Sequence, residues 1–130
     1  MDRICADLNK RAKRLNQRGI EAAKSADSRE AQLAAIEPFL REGLEGQKVA
    51  QRQIERLTPP AGDEKQFETI VDNYRQEDAL LSRLLDAVDS RDVDRFTALS
   101  GELDRLQERT RGLLQGYGFK ECGSGRNEAD

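Results

Sequence analysis

The sequence of 130 residues contains no histidine and no tryptophan, and aromatic residues make up only 5% of it. The lack of histidine removes the usual general base near neutral pH, the commonest metal ligand and the base of most nucleophilic triads. Phosphate-binding loops, nucleophile elbows and N-glycosylation sequons are also absent from the sequence. We therefore expect a protein that is not an enzyme and that uses no cofactor or metal ion.

Long apolar stretches are also missing, and none approaches the roughly 18 residues of a transmembrane helix. The formal net charge is −3, which gives the chain no general attraction to nucleic acid or to an anionic membrane. We predict neither a nucleic-acid partner nor a transmembrane segment. One basic run is flanked by acidic residues and carries no aromatic side chain, so we interpret it as a solvated helix face. It consists of Lys10, Arg11, Lys13, Arg14 and Arg18.

Helical periodicity is what the sequence does contain. Four segments show apolar residues at alternating spacings of three and four, in a composition that favours helices. We predict one all-α domain over residues 1–122, an antiparallel up-down four-helix bundle, followed by a disordered tail over residues 123–130. The helices are expected near residues 2–25, 28–57, 64–88 and 91–116.

Capping and stop signals define these boundaries. Asp27 and Glu30 form a capping-box pattern that predicts a helix start close by, and Ser90 is the expected N-cap of the last helix. The segment Thr58-Pro59-Pro60-Ala61-Gly62 is a strong stop between the second and third helices. Pro38 lies inside the second helical segment, where it either kinks one helix or separates two short ones.

The only two cysteines, Cys5 and Cys122, lie near opposite ends of the chain. In a bundle of four alternating helices, the start of the first helix and the end of the fourth lie at the same end, within disulfide range. With three or five helices of about 1.5 Å rise per residue, the two thiols would be far apart. We therefore predict a disulfide between them. The alternatives are two reduced thiols or a reactive site, although the chain has no C-x-x-C motif and no histidine to activate a thiolate.

The heptad pattern places three polar residues on the core stripes of the second, third and fourth helices, with a glycine one turn before the first of them. These candidates are Gly43, Gln47, Asp78 and Thr110. They are expected to form either a buried polar layer that fixes helix register or a small ligand cavity between the helices. For Asp78 we favour another interpretation, in which the stripe drifts, so that Ala79 or Leu80 faces inward and Asp78 lies at the rim.

Three short motifs frame the chain: Ile4-Cys5-Ala6-Asp7-Leu8-Asn9, Leu57-Thr58-Pro59-Pro60 and Gly116-Tyr117-Gly118-Phe119-Lys120-Glu121-Cys122-Gly123. Together they resemble a loose group of uncharacterised bacterial exported or lipid-anchored helical proteins. That group has an early cysteine, a central T-P-P stop and a terminal G-x-x-x-C-G. The resemblance implies an extracytoplasmic location and supports the disulfide, and it transfers no activity. The chain departs from the group because no export segment is evident.

Met1-Asp2-Arg3 leads directly into the first helix, so the protein is either cytosolic or an exported protein whose export segment is absent from this sequence. We expect an extracytoplasmic module, secreted or lipid-anchored, that binds or scaffolds a protein or a cell-envelope component. It is expected to be a monomer or a weak homodimer. One alternative is a small-ligand carrier with a cavity between the helices. The other is a cytosolic helical adaptor with free thiols.

Overall fold

The chain folds into four α-helices in a computed structural model that describes residues 1–120 and residue 122. The helices are α1 (Asp2–Ala23), α2 (Arg29–Glu55), α3 (Glu64–Asp89) and α4 (Val93–Gly116). No strand occurs in this part of the chain, and the predicted all-α fold is confirmed. The predicted disordered tail, residues 123–130, lies outside the described residues.

Short connections place each helix antiparallel to the next, as in an up-down bundle. α1 packs along α2, α2 along α3, and α3 along α4, whereas α2 and α4 meet only over a small area. Within the described chain, α1 and α4 do not pack along each other. The four-helix bundle is therefore open along one side, between its first and last helices.

The Cys5–Cys122 disulfide joins the two sides of this opening at one end, so the predicted pairing is confirmed. The two Cα atoms are 4.9 Å apart, and both cysteines are buried. They belong to a buried cluster whose other members are Ile54, Ile70, Val71, Tyr74 and Leu114. We call this the disulfide end of the bundle, and we call the opposite end, with the α1–α2 and α3–α4 connections, the far end.

A second tie at the disulfide end comes from Asp2 in the first turn of α1. Its carboxylate accepts the backbone N–H of Lys120 at 3.3 Å and the backbone N–H of Cys122 at 3.4 Å. The segment that follows α4 is thereby held against the start of α1 by hydrogen bonds as well as by the disulfide.

At the far end the apolar core excludes α1. The buried members of this second cluster come from α3 and α4 and are Leu84, Ala87, Leu99 and Leu103. The half-buried residues that pack on it come from α2, α3 and α4 and are Leu40, Leu80, Leu81 and Phe96. Among the described residues, α1 therefore shares a buried core with the other helices at the disulfide end but not at the far end.

α2 is one continuous helix from Arg29 to Glu55, so Pro38 does not split it. The helix begins after Ser28, whose hydroxyl accepts the backbone N–H of Ala31 at 3.0 Å. Pro38 has no N–H to donate to the preceding turn, and its exposed position leaves that turn's carbonyl open to water.

The turn between α3 and α4 differs from the sequence prediction, because Ser90 is not the N-cap of α4. That N-cap is Asp92, whose Oδ1 accepts the backbone N–H of Arg95 at 3.1 Å. The hydroxyl of Ser90 instead donates to the carbonyl of Asp86 at 3.0 Å and so terminates α3. Arg91, with φ 57°, turns the chain between the two helices in the left-handed region.

Two ion pairs on the surface link α2 to α3, namely Arg41–Asp89 at 3.3 Å and Arg75–Glu55 at 2.9 Å. A hydrogen bond from Gln51, assisted by Arg75, lowers the pKa of Glu55. These side chains are largely solvated, and such pairs contribute little to the free energy of folding. The stability of the α2–α3 contact therefore comes mainly from its buried face.

We expect the double variant Cys5→Ser, Cys122→Ser to have a free energy of unfolding lower by about 4–5 kcal/mol, since the disulfide closes a long loop in the unfolded chain. The two cysteines are separated by 117 positions. Urea denaturation of the oxidised wild type and the variant measures the difference. Intact mass after alkylation, with and without reduction, verifies that the wild-type thiols label only when reduced. Equal stability of variant and oxidised wild type would contradict the prediction.

Candidate binding groove

The open side of the bundle between α1 and α4 forms a groove of about 340 Å³, with α2 as its floor. Apolar side chains make up most of its lining, among them Leu15, Ile36, Phe39, Leu40, Phe96 and Leu103. Small-molecule sites in proteins have volumes of roughly 300–1,000 Å³ and similar apolar walls. The groove therefore has the size and lining of a site for one small ligand.

At two glycines of α2, side chains of α1 lie directly over the α2 backbone. A Cβ atom at Gly43 would be 3.8 Å from Leu15 Cδ1. A Cβ atom at Gly46 would be only 3.0 Å from Arg11 Nη1 and 3.1 Å from Arg11 Cδ. Side chains of α1 thus pack directly over the backbone of α2. α1 thus lies against α2, and space remains between α1 and α4.

The groove is polar at the end nearer the disulfide, which we call the inner end, and mainly apolar toward the far end of the bundle. Arg11 lies beside Gly46, and Gln47 follows in the next position of α2, so both line the end nearer the disulfide. Gln107 lines the groove from α4, one turn nearer the disulfide end than Leu103. The remaining length runs toward the far end mainly between apolar side chains, with Asn16 at the α1 rim.

The α1 rim of the groove is open to solvent. Arg11 and Asn16 are exposed, and Ile20 is 48% exposed although it also lines the groove. Facing them across the opening, Phe96 of α4 is only half-buried. A ligand therefore reaches the apolar walls from solvent without any helix having to move.

A buried polar pair lies behind the inner end. Gln47 Nε2 donates a hydrogen bond to Glu77 Oε2 at 3.0 Å. Glu77 is 0% exposed and Gln47 is 5% exposed, so the contact between α2 and α3 is shielded from water. Along the bundle the pair lies between the cluster at the disulfide end and the cluster at the far end. It forms a polar layer between two apolar clusters.

The four candidate residues from the sequence do not meet at one place. Gly43 and Gln47 line the groove, but Asp78 and Thr110 do not. Thr110 is buried, and its hydroxyl donates to the carbonyl of Leu106 in its own helix at 3.0 Å. Asp78 is half-buried. A role of these residues in ligand binding stays a prediction.

Sequence reasoning missed two residues of this region, Glu77 and Arg11. The heptad stripe selected Asp78, yet the fully buried acid of α3 is its neighbour Glu77. α3 packs against both α2 and α4, so its buried face is wider than one stripe. Arg11 was assigned to a solvated face, and it is exposed, but it also lines the groove. Gly46 is the sequence feature that points to this position of Arg11, because a glycine leaves room for a side chain of a neighbouring helix. Only the pairing of α1 with α2 in the structure shows that Arg11 is the side chain that fills this room.

In residues 1–120 and 122, no group of three His, Cys, Asp or Glu side chains is arranged to hold a metal ion. None of the helices in this part of the chain is both long enough and apolar enough to cross a membrane. No protein-family model, curated protein or solved structure matches this chain. The resemblance to exported helical proteins stays a prediction, and the groove is the feature from which a function can be argued.

We expect Gln47→Leu to lower the free energy of unfolding by about 1–3 kcal/mol, because the buried Glu77 carboxyl then loses a donor. The double variant Gln47→Leu, Glu77→Leu is expected to be more stable than Gln47→Leu alone, since no buried carboxyl remains. Urea denaturation of the two single variants and the double variant completes a double-mutant cycle. Gln53→Leu, at an exposed glutamine of the same helix, is the control and should shift stability by less than about 0.5 kcal/mol. Additive losses at positions 47 and 77 would show that the pair is not coupled.

Proposed function

We propose that this protein is a non-enzymatic binding module of the cell envelope, which carries a small apolar or amphiphilic molecule in the groove between α1 and α4. The observation that carries the proposal is the groove itself, with a volume of about 340 Å³ and mainly apolar walls. A few polar side chains converge at one end, as in sites that orient a small ligand. A bundle with no such function would be expected to bury these apolar walls by packing α1 on α4.

The position of the groove supports a carrier more than a protein scaffold. On α1 its lining extends only from Leu8 to Ile20, a span of about 18 Å at 1.5 Å per residue. Stable protein–protein interfaces bury roughly 800 Å² on each partner, which a short and narrow groove does not offer. The scaffold role and the weak homodimer remain predictions, and the groove supports neither of them.

The disulfide supports a location outside the cytoplasm. Disulfide bonds persist in oxidising compartments and are rare in the cytosol, where thiols are kept reduced. Both cysteines of this chain are used in the one bond, which agrees poorly with a cytosolic adaptor that has free thiols. A carrier in the envelope would meet its apolar ligand at or near a membrane surface.

Gly43→Leu is expected to weaken binding in the groove, because the new side chain would project from the floor into the space that the ligand occupies. A Cβ atom at Gly43 would be 3.8 Å from Leu15 Cδ1, an ordinary van der Waals contact, so the Cβ atom itself fits. Binding is measured with N-phenyl-1-naphthylamine, a neutral dye that fluoresces in apolar sites, and by displacing it with a panel of lipids and metabolites. The absence of tryptophan leaves little protein fluorescence to subtract.

Gly112→Leu is the matched control, because a Cβ atom there meets nothing within 4 Å and Gly112 does not line the groove. Wild type and Gly112→Leu should bind the dye equally, and Gly43→Leu should bind it at least about tenfold more weakly, the loss of roughly two buried methylenes. Thermal denaturation verifies that all three are folded. Equal affinity of Gly43→Leu and Gly112→Leu for the dye, or no binding by the wild type, would overturn the proposal.

A further inference from the structure

The α1 wall of the groove carries a run of positive charge. Between Lys10 and Arg18, α1 carries five Lys or Arg side chains and no Asp or Glu. α1 forms one wall of the groove, so its positive charge acts on whatever lies there. An anionic ligand is favoured at this wall over a neutral or cationic ligand of the same shape.

Arg11 is the member of this basic run that reaches the groove itself. Its side chain lies across α2 at Gly46, where the missing Cβ leaves room for the guanidinium. The ion pairs found among the described residues join other side chains, and none of them includes Arg11. The guanidinium therefore stands at the polar inner end with its charge available to an incoming anion.

Beyond Arg11 the groove lining is apolar for a defined length, except for Asn16 at the exposed α1 rim. From Arg11 to Ile20 the α1 wall advances nine residues, about 13–14 Å at 1.5 Å per residue. A fully extended chain advances about 1.2 Å per bond, a third of the 3.3–3.6 Å that a three-bond residue spans. The apolar part thus accommodates about eleven bonds of an extended chain, the length of a twelve-carbon acyl chain.

We propose that the ligand of the groove is a single-chain amphiphilic carboxylate of about this length, held by Arg11 at its head group and by the apolar walls along its tail. This proposal rests on the ligand-carrying function and specifies its substrate class. The guanidinium of Arg11, at the groove lining, offers donors to a carboxylate head. The exposed rim lets the chain enter sideways, with its methyl end toward the far end of the bundle.

The test compares three ligands that share one tail: dodecanoate, dodecanol and dodecyltrimethylammonium, each below its micelle concentration. Calorimetric titration or dye displacement should give an affinity for dodecanoate at least about tenfold higher than for the other two, as expected for one charge-assisted contact. Across shorter carboxylates, affinity should rise by about fourfold per methylene. Beyond about twelve carbons it should level off, because the tail then leaves the groove.

Variants at two positions test the head-group contact. Arg11→Gln should lower the affinity for dodecanoate by at least about tenfold and leave that for dodecanol unchanged. Arg14→Gln is the matched control, because it removes one charge from the same helix at an exposed residue that does not line the groove. Gly46→Val fills the place where Arg11 lies and should act like Arg11→Gln, whereas Gly112→Val should have no effect.

Each outcome has one meaning. Equal affinity for the three ligands, or equal losses in Arg11→Gln and Arg14→Gln, would overturn the carboxylate proposal and leave the carrier function intact. Failure of all three ligands and of the neutral dye to bind would overturn both. Sedimentation with phosphatidylglycerol vesicles, without binding of monomeric dodecanoate, would assign the basic wall to a membrane surface and likewise refute the proposal.

Discussion

The covalent link between Cys5 and Cys122 is the constraint on which the shape of this bundle depends. α1 packs along only one other helix, α2, and shares a core with α3 and α4 only at the disulfide end. Because α1 is held only by its packing on α2 and by its contacts at the disulfide end, it can lie apart from α4 over the rest of its length. The groove is the result of that arrangement, since its two walls are joined at one end and separated toward the other.

Much of the fold follows from short-range features of the sequence. Helical periodicity, the T-P-P stop and the positions of the two cysteines were enough to predict four antiparallel helices closed by a disulfide. The prediction that Ser90 is the N-cap of α4 was wrong because Asp92, which can also cap a helix, lies two positions later. Only the path of the turn decides which of the two residues caps α4. Arg91 adopts a left-handed conformation there, which a sequence pattern does not indicate for an arginine.

The groove was harder to predict, because it depends on distances between helices that are remote in sequence. Gly43 and Gln47 could be selected from the heptad pattern of α2 alone, and both line the groove. Glu77 was missed because the apolar pattern of α3 fits two adjacent stripes. The structure buries Glu77 and leaves Asp78, on the neighbouring stripe, half-buried. Arg11 was missed for a different reason: an arginine in a basic run is usually solvated, and its place over Gly46 becomes visible only when α1 is set against α2.

The disulfide also closes a covalent ring in the chain, from Cys5 through all four helices to Cys122, at a sequence separation of 117. The connection between α2 and α3, residues 56–63, is exposed except for Pro59, and it contains no regular helix. Cleavage by a protease at this connection would leave two helical hairpins joined as one molecule through their outer ends. In an environment rich in proteases, the protein would thus survive a single cut as a linked pair of fragments, separable only by a reductant.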